Sequence, residues 1–292
     1  MPILLRRILF GLSGCFLIGL LISWIAGDVM VRGHRISVPA APMPARSFTL
    51  RASDGVILAA TYWPGARADA PAVLLLHGVD GSRASVARNA AWLAQQGYAA
   101  MAIDFRGHGQ SEIADRSFGW NEGRDAHAAF AWLKRQQHGA PVALIGYSMG
   151  GAASLLGPLG PVPADAMILQ AVYPDIRDAI RHRIATRLGE PLGYAMEPLL
   201  SFQARLRFGV WPSAIAPIDA IRSYKGPVMV IGGMRDLSTP PDESRALFAA
   251  APGKRALWML PIGGHASASS SRTDDAYRAR ILAFLHATIG RS

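Results

Sequence analysis

The chain has 292 residues, of which 51% are hydrophobic and 17% charged, and this excludes an intrinsically disordered protein. Its single cysteine excludes an internal disulfide framework and a zinc site built from several cysteines. The formal net charge is +10, but the basic residues are dispersed and lack the interleaved aromatic residues of a nucleic-acid groove. We therefore expect no nucleic-acid partner.

The N-terminal segment contains a long run without charge. Residues 8–27 carry no charged side chain, and as a helix they would span about 30 Å, the thickness of a bilayer's hydrocarbon core. We predict a single-pass membrane anchor, a signal-anchor over residues 1–27, that contacts membrane lipid. Two alternatives stay open. Leu12-Ser13-Gly14-Cys15 resembles a lipoprotein signal with an acylated Cys15, and a secretory signal would be cleaved.

The basic residues near this run do not fix its orientation, because they flank both of its ends: Arg6, Arg7, Arg32, Arg35 and Arg46. A short basic start before an apolar run is typical of a signal-anchor, which predicts that the following domain is exported from the cytoplasm. Residues 28–45 contain three prolines among small residues and indicate an extended tether.

From residue 46 onward, strand-like and helix-like runs alternate. Asp54-Gly55 is a turn signal between the first two strands. The predicted strands are Ser47–Ala52, Val56–Trp63, Ala72–Leu76, Tyr98–Ile103, Val142–Ile145, Ala166–Val172, Val228–Ile231 and Ala256–Leu260. Apolar strands that alternate with helices predict an α/β fold, with a mostly parallel central sheet and helices on both faces. We expect residues 46–292 to form one domain.

A glycine-rich turn follows the fifth predicted strand. Gly146-Tyr147-Ser148-Met149-Gly150 has the pattern G-x-S-x-G and precedes a run of small residues that can begin a helix. The pattern alone is weak, but between a buried strand and a helix it predicts a sharp turn that exposes a serine nucleophile. Ser148 would be that nucleophile, and Gly146 and Gly150 would give the turn its space. The alternative is a glycine-rich turn with an idle serine.

Two further motifs extend this pattern: Leu74-Leu75-Leu76-His77-Gly78 and Asp104-Phe105-Arg106-Gly107-His108-Gly109-Gln110-Ser111. With them, the chain resembles the α/β-hydrolases, in the branch of monoacylglycerol lipase-like and serine aminopeptidase-like enzymes. The resemblance runs from about residue 46 to the end. It implies an oxyanion hole formed by the backbone amides of Met149 and Val79. The chain departs from some esterases at Val79-Asp80-Gly81, where those enzymes have a longer glycine run.

A serine hydroxyl needs a base, which is a histidine in this fold. The order nucleophile, acid, histidine leaves His265 and His286 as candidates. His265 follows two glycines after the last predicted strand, whereas His286 lies in the predicted C-terminal helix Tyr277–Ile289. We predict that His265 is the base and that His286 is a surface or packing residue. His77 and His108 are expected to make hydrogen bonds in turns.

The resemblance implies an acid beyond the tip of strand Val228–Ile231, where Asp236 lies. The alternative for Asp236 is a solvated aspartate paired with Arg235. Asp242 is a rival acid, but it precedes a helical run and is more simply interpreted as its N-cap. The sequence contains no metal motif, and the expected chemistry needs no cofactor.

Residues from about 174 to 222 form an insert where this fold commonly carries a lid. Within it, the spacing predicts one apolar helical stripe of Ile176, Ile180, Ile184 and Leu188. Arginines surround this stripe. The insert is interpreted either as a cap helix over the active site or as a basic amphipathic surface that touches anionic lipid.

These features predict a membrane-anchored serine hydrolase that cleaves small-molecule acyl esters. The alternatives are an aminopeptidase-like hydrolase and a non-catalytic binding protein on the same fold. The insert holds five acids (Asp175, Asp178, Glu190, Glu197, Asp219) against seven arginines (Arg177, Arg181, Arg183, Arg187, Arg205, Arg207, Arg222). Because that charge disfavours a cationic amino terminus, we expect ester cleavage rather than aminopeptidase activity.

Overall fold

The computed structural model describes residues 3–265 and 275–290. Within them, one eight-stranded sheet has the order β1-β2-β4-β3-β5-β6-β7-β8. The strands are β1 (Arg46–Arg51), β2 (Ile57–Trp63), β3 (Ala72–Leu76), β4 (Ala99–Ile103), β5 (Val142–Tyr147), β6 (Ala166–Gln170), β7 (Val228–Gly233) and β8 (Arg255–Leu260). Only the β1–β2 and β2–β4 pairs are antiparallel, so the prediction of a mostly parallel sheet is confirmed.

The strands follow their predicted bounds to within two residues. Every residue of β3, β4, β5, β6 and β7 is buried, as expected for parallel strands covered on both faces. The largest differences are at the carboxyl ends. β7, for example, continues through Gly232 and Gly233, which pair with Met259 and Leu260 of β8.

Helices cover both faces of the sheet, as predicted. They are α1 (Ile3–Val31), α2 (Arg83–Gln95), α3 (Glu122–Gln136), α4 (Met149–Leu155), α5 (Ile176–Leu188), α6 (Glu190–Ser201), α7 (Gln203–Phe208), α8 (Pro217–Ala220), α9 (Pro241–Ala250) and α10 (Asp275–Thr288). One apolar core lies between the sheet and α3, α4 and α9. The other lies between the sheet and α2 and α10.

Helix α1 is long and apolar enough to cross a membrane. Its portion Gly11–Val31 has a mean hydropathy of 2.0 and is mostly outside the core. Length and composition of this kind belong equally to a signal sequence near an N-terminus. Large apolar side chains such as Phe16, Ile22 and Val29 are exposed along the helix.

The segment after α1 lies against the domain. The helix continues to Val31, four residues beyond the predicted end of the anchor, and Val31 is buried. The amide of His34 then donates to the carbonyl of Gly107 at 3.1 Å, and that of Ile36 to Gly109 at 2.8 Å. Residues 32–36 are therefore bound to the loop that follows β4.

The insert between β6 and β7 contains α5, α6, α7 and α8. Helices α5 and α6 pack closely at Gly193, where an added Cβ would lie 3.0 Å from the carbonyl oxygen of Arg181. The predicted apolar stripe of α5 begins in the core and ends at the surface. Ile176 and Ile180 are buried, whereas Leu188 at the far end is 54% exposed.

Candidate active site

Four strands of the sheet carry the predicted site residues at the same edge, with β6 lying between β5 and β7. The loop with Val79 follows β3, Ser148 follows β5, Asp236 follows β7 and His265 follows β8. These strands run parallel, so their carboxyl ends share an edge, which is where open α/β sheets collect reactive groups.

Ser148 occupies a tight turn between β5 and α4. Its φ of +49° and ψ of −116° lie outside the regions that a side chain ordinarily permits. The turn is held from both sides, because the Ser148 amide donates to the Gln170 carbonyl at 2.8 Å and the amides of Gly151 and Ala152 donate to the Ser148 carbonyl at 3.0 Å. The chain therefore enforces the strained conformation at the serine.

The glycines on each side of Ser148 are required by close backbone contacts. A Cβ on Gly146 would collide with the backbone of Gly151, and a Cβ on Gly150 would collide with the carbonyl oxygens of Leu76 and His77. Helix α4 thus begins directly against the end of β3. This contact brings the β3 loop beside the serine.

The structure brings Ser148, His265 and Asp236 into one hydrogen-bonded chain. Ser148 Oγ lies 3.3 Å from His265 Nε2, and His265 Nδ1 lies 2.9 Å from Asp236 Oδ2. Asp236 is 1% exposed, whereas the His265 side chain is 25% exposed. The imidazole can therefore reach both the serine and an incoming molecule. Ser148 is 3% exposed, so the expectation of an exposed serine is wrong, because His265 and the loop at Gly78 lie against its side chain.

The Asp236 carboxylate is held by its own loop. Its Oδ1 accepts hydrogen bonds from the amides of Ser238 and Thr239, each at 2.9 Å, and its Oδ2 accepts one from the Thr239 hydroxyl at 2.6 Å. Burial alone would raise the pKa of Asp236, but His265 and the Thr239 hydrogen bonds hold that pKa below its ordinary value. The carboxylate is therefore ionised near neutral pH and oriented towards His265.

The amides of Met149 and Val79 lie near the serine. Within residues 3–265 and 275–290 neither amide donates a hydrogen bond to another part of the protein, and Met149 opens α4, where amides have no partner within the helix. Gly78, which precedes Val79, approaches Ser148 closely, because its added Cβ would lie 3.6 Å from the Ser148 Cβ. Two backbone donors are thus available at this edge.

His77 and His108 hold the loop that carries Val79, as the prediction of turn hydrogen bonds expected. His77 Nε2 accepts from the Phe105 amide at 3.1 Å, and its Nδ1 lies 2.7 Å from the Gly78 carbonyl oxygen. Burial, together with nearby His108, lowers the pKa of His77 to about 3, so the ring is neutral. His108 Nε2 lies 2.5 Å from the Val79 carbonyl oxygen.

The rival residues lie elsewhere. His286 is on α10 and stacks on Tyr98, with ring centroids 6.1 Å apart. Asp242 lies in the first turn of α9, where it pairs with Arg245 at 2.7 Å. It is not the N-cap, because Pro240 holds that position and the helix begins at Pro241.

The sequence interpretation missed the contribution of Thr239 to the carboxylate. An aspartate in a turn typically accepts the backbone amide two residues further on, and Asp236 accepts the amides of Ser238 and Thr239. Among the described residues, no group of three or more His, Cys, Asp or Glu side chains is placed to hold a metal ion.

Comparison with known proteins identifies sequence relatives. Residues 68–204 match the family model described as "Serine aminopeptidase, S33". The chain is 31% identical over 237 residues to an uncharacterized protein of Mycobacterium tuberculosis, an alignment that covers 77% of each protein. It is 25% identical over 250 residues to the uncharacterized protein YfhR of Escherichia coli, with 84% of this chain and 81% of that protein covered.

Solved structures share the fold. An esterase from Pyrococcus furiosus superposes with a TM-score of 0.68 at 22% identity, covering 89% of this chain and 99% of that one. An acylaminoacyl peptidase from Pyrococcus horikoshii superposes with a TM-score of 0.61 at 15% identity, covering 85% of this chain and 42% of that one. At these identities the similarity is one of fold.

Proposed function

The chain belongs to the α/β-hydrolase superfamily, and from this premise we propose that it is a membrane-anchored serine hydrolase that cleaves acyl esters. The observation that carries the proposal is the hydrogen-bonded chain from Ser148 through His265 to the buried Asp236. A serine on a strained turn, a histidine and an oriented carboxylate are the groups that acyl transfer to a serine requires.

In the proposed reaction, His265 Nε2 takes the proton of Ser148 Oγ as that oxygen attacks the acyl carbonyl. Asp236 holds the Nδ1 proton of His265 and stabilises the imidazolium that forms. The amides of Met149 and Val79 stabilise the oxyanion of the tetrahedral intermediate. His265 then protonates the departing alkoxide, and a water molecule activated by the same histidine releases the acyl group from Ser148.

The proposal places α1 in the membrane as a single span, with the catalytic domain exported. It is supported by the apolar length of α1 and by its exposed large side chains. Monomeric soluble proteins rarely expose large contiguous apolar patches to water, so these exposed side chains support contact with lipid. Basic residues flank both ends of the run, so the proposed export rests on the signal-anchor pattern of a short basic start before an apolar run.

An aminopeptidase-like activity is the second candidate, favoured by the description of the matching family model. An aminopeptidase must bind a cationic amino terminus. The cleft beside Val79 and Ser238 is lined instead by Arg116, Arg183 and Arg187, which repel an ammonium group. This charge supports ester cleavage over aminopeptidase activity.

The two activities can be separated with chromogenic substrates. We expect the full-length protein in neutral detergent to show a higher kcat/KM for p-nitrophenyl esters than for aminoacyl-p-nitroanilides. Ser148→Ala is the control for each substrate. Faster cleavage of the anilides by the wild-type protein would favour the aminopeptidase, and equal turnover by Ser148→Ala would favour a non-catalytic protein with a contaminating activity.

A further inference from the structure

A cleft of about 570 Å³ lies beside the proposed catalytic residues, between α1, α5 and α6. Val79, the proposed oxyanion donor, lines it, and so does Ser238, which donates to Asp236. When Ser148 attacks the carbonyl of an acyl ester, the rest of the substrate can therefore lie in this cleft. A cleft of this size can accommodate a small amphiphile.

One part of the cleft wall is apolar. Met30 contributes from α1, Ile180 and Ile184 from α5, and Leu200 from α6. The predicted stripe of α5 thus continues beyond the core into the cleft. An alkyl or acyl chain would bury apolar surface against this wall, which is favourable by roughly 0.8 kcal/mol per methylene group.

The other part of the wall is positively charged. Three arginines line it, Arg116, Arg183 and Arg187. Among the described residues that line the cleft, Asp80 is the one with a carboxylate. Arg183 and Arg187 make no ion pair with any acid in residues 3–265 and 275–290. Two unpaired guanidinium groups beside an apolar wall fit a ligand that carries a negative charge at one end of an apolar chain.

Arg116 is more deeply placed. It is 7% exposed, and its Nη1 lies 3.4 Å from the Val79 carbonyl oxygen and 3.6 Å from Asp80 Oδ1. Its Nε is buried without a hydrogen-bond partner. The Asp80 side chain is 91% exposed, so solvent screens this pair and the cleft keeps its positive charge.

Helix α1 is fixed at the edge of this cleft. Gln203 Nε2 donates to the Ser23 carbonyl at 3.0 Å, Ser23 Oγ donates to the Leu199 carbonyl at 2.8 Å, and the Arg207 guanidinium lies 4.1 Å from the centre of the Trp24 ring. These contacts tie α1 to α6 and α7. If α1 spans a bilayer, the cleft opens where that helix leaves the membrane.

We propose that the cleft binds a single-chain acyl ester with a negatively charged group, taken from the membrane surface. The apolar chain lies along Met30, Ile184 and Leu200, and Arg183 and Arg187 bind the charged group. This inference rests on the proposed ester hydrolysis and adds the substrate class to it.

Binding can be tested separately from catalysis. We expect full-length Ser148→Ala, in neutral detergent, to bind octyl phosphate about tenfold more tightly than octyl glucoside or inorganic phosphate in calorimetric titrations. Equal binding of octyl glucoside would show an apolar site only, and equal binding of inorganic phosphate would show an anion site only. Either result overturns the proposal. Since this variant lacks the nucleophile, neither result depends on the proposed hydrolysis.

The kinetic test compares 1-decanoylglycerol 3-phosphate with 1-decanoylglycerol, two esters that differ by one phosphate group. In Arg183→Gln/Arg187→Gln, the ratio of kcat/KM for the anionic ester to that for the neutral ester is expected to fall about tenfold, through a higher KM for the anionic ester. Arg222→Gln is the matched control, because Arg222 lies in the same insert but outside the cleft and is exposed.

The substrate proposal is wrong if the double variant keeps the wild-type ratio or if Arg222→Gln lowers it equally. A wild-type protein that binds octyl phosphate but hydrolyses neither ester would contradict the proposed function and leave the anionic cleft established. The two failures are therefore distinguishable.

Discussion

Ser148 is held at a positive φ by hydrogen bonds of both its backbone amide and its backbone carbonyl. That conformation costs on the order of 1–3 kcal/mol for a residue with a side chain, and the surrounding structure retains it. The direct consequence is that Oγ points out of the turn towards His265 Nε2. The strain is therefore part of how the proposed nucleophile is presented.

Asp236 is expected to control the activity through His265. In Asp236→Asn the carboxylate can no longer hold the Nδ1 proton or stabilise the imidazolium, so kcat for p-nitrophenyl butyrate should fall on the order of 10⁴-fold. The measurement is steady-state hydrolysis, with circular dichroism to show that the variant is folded. A folded variant with wild-type kcat would mean that Asp236 does not orient the base.

The same residue predicts a pH dependence of stability. The pKa of Asp236 in the folded protein lies below its ordinary value, so its ionised form stabilises the fold above roughly pH 3.9, and this contribution is lost as pH falls through the folded-state pKa. The difference in Tm between the wild type and Asp236→Asn should therefore narrow between pH 7 and pH 3. A difference that stays constant over this range would contradict the direction of the pKa shift.

Strand tips and chain order restrict the candidates to Ser148, Asp236 and His265, and the structure brings these three side chains together, while their catalytic roles stay a prediction. The sequence motif did not indicate which neighbouring residues hold these side chains and the Val79 loop through hydrogen bonds. Thr239 acts through a short turn, whereas His108 reaches the Val79 carbonyl through a contact between residues 29 positions apart. The proposed role of the Val79 amide in the oxyanion hole rests on the family resemblance and not on any local sequence pattern.

At the scale of elements, α4 and the end of β3 are packed backbone to backbone. Gly150 has no room for a side chain because the Leu76 and His77 carbonyl oxygens face its Cα. The contact fixes the first turn of α4, and with it the Met149 amide, relative to the loop that carries Val79. The spacing of the two proposed oxyanion donors thus depends on a glycine.

Gly150→Ala is expected to push α4 away from β3. The change should destabilise the protein by about 1–3 kcal/mol through overpacking, and it should lower kcat more than it raises KM, because the oxyanion is bound only in the transition state. Thermal unfolding and ester kinetics measure the two effects. Gly139→Ala is the control, because it makes the same substitution at a turn where the glycine has open space around it. There, backbone strain should lower stability without affecting kcat.

The bounds of the strands could be predicted closely from the sequence. A short apolar run between glycine, proline and aspartate has few structures open to it other than a strand of a parallel sheet. The prediction was poorer for the end of the N-terminal helix. The helix α1 runs to Val31 because Val31 is buried against the domain and its carbonyl accepts from the Arg116 amide at 2.7 Å. A prediction from hydropathy alone ends that helix before its first charged residue, Asp28.

At the scale of the whole molecule, α1 and the insert form one unit with the cleft between them. The polar contacts of Gln203 with Ser23 and of Arg207 with Trp24 join residues about 180 positions apart. Such contacts leave no periodic signal in the sequence. For this reason the apolar N-terminal helix and the insert could each be predicted from the sequence, but not their packing against each other.

A shortened chain that begins at Arg46 is expected to separate from membranes and remain folded, because both core clusters lie almost entirely after residue 45. Its Tm should be lower than that of the full chain, since the contacts of Val31, His34 and Ile36 are lost. Fractionation and thermal unfolding check both effects. If the shortened chain stays with membranes, the insert and not α1 is the main attachment.

The most direct test of the central proposal is labelling of the full-length protein with a fluorophosphonate, followed by peptide mass spectrometry. The account predicts one phosphonylated serine, Ser148, with labelling abolished in Ser148→Ala and p-nitrophenyl butyrate hydrolysis reduced on the order of 10⁶-fold in that variant. Labelling of a different residue, or wild-type turnover by folded Ser148→Ala, would contradict it.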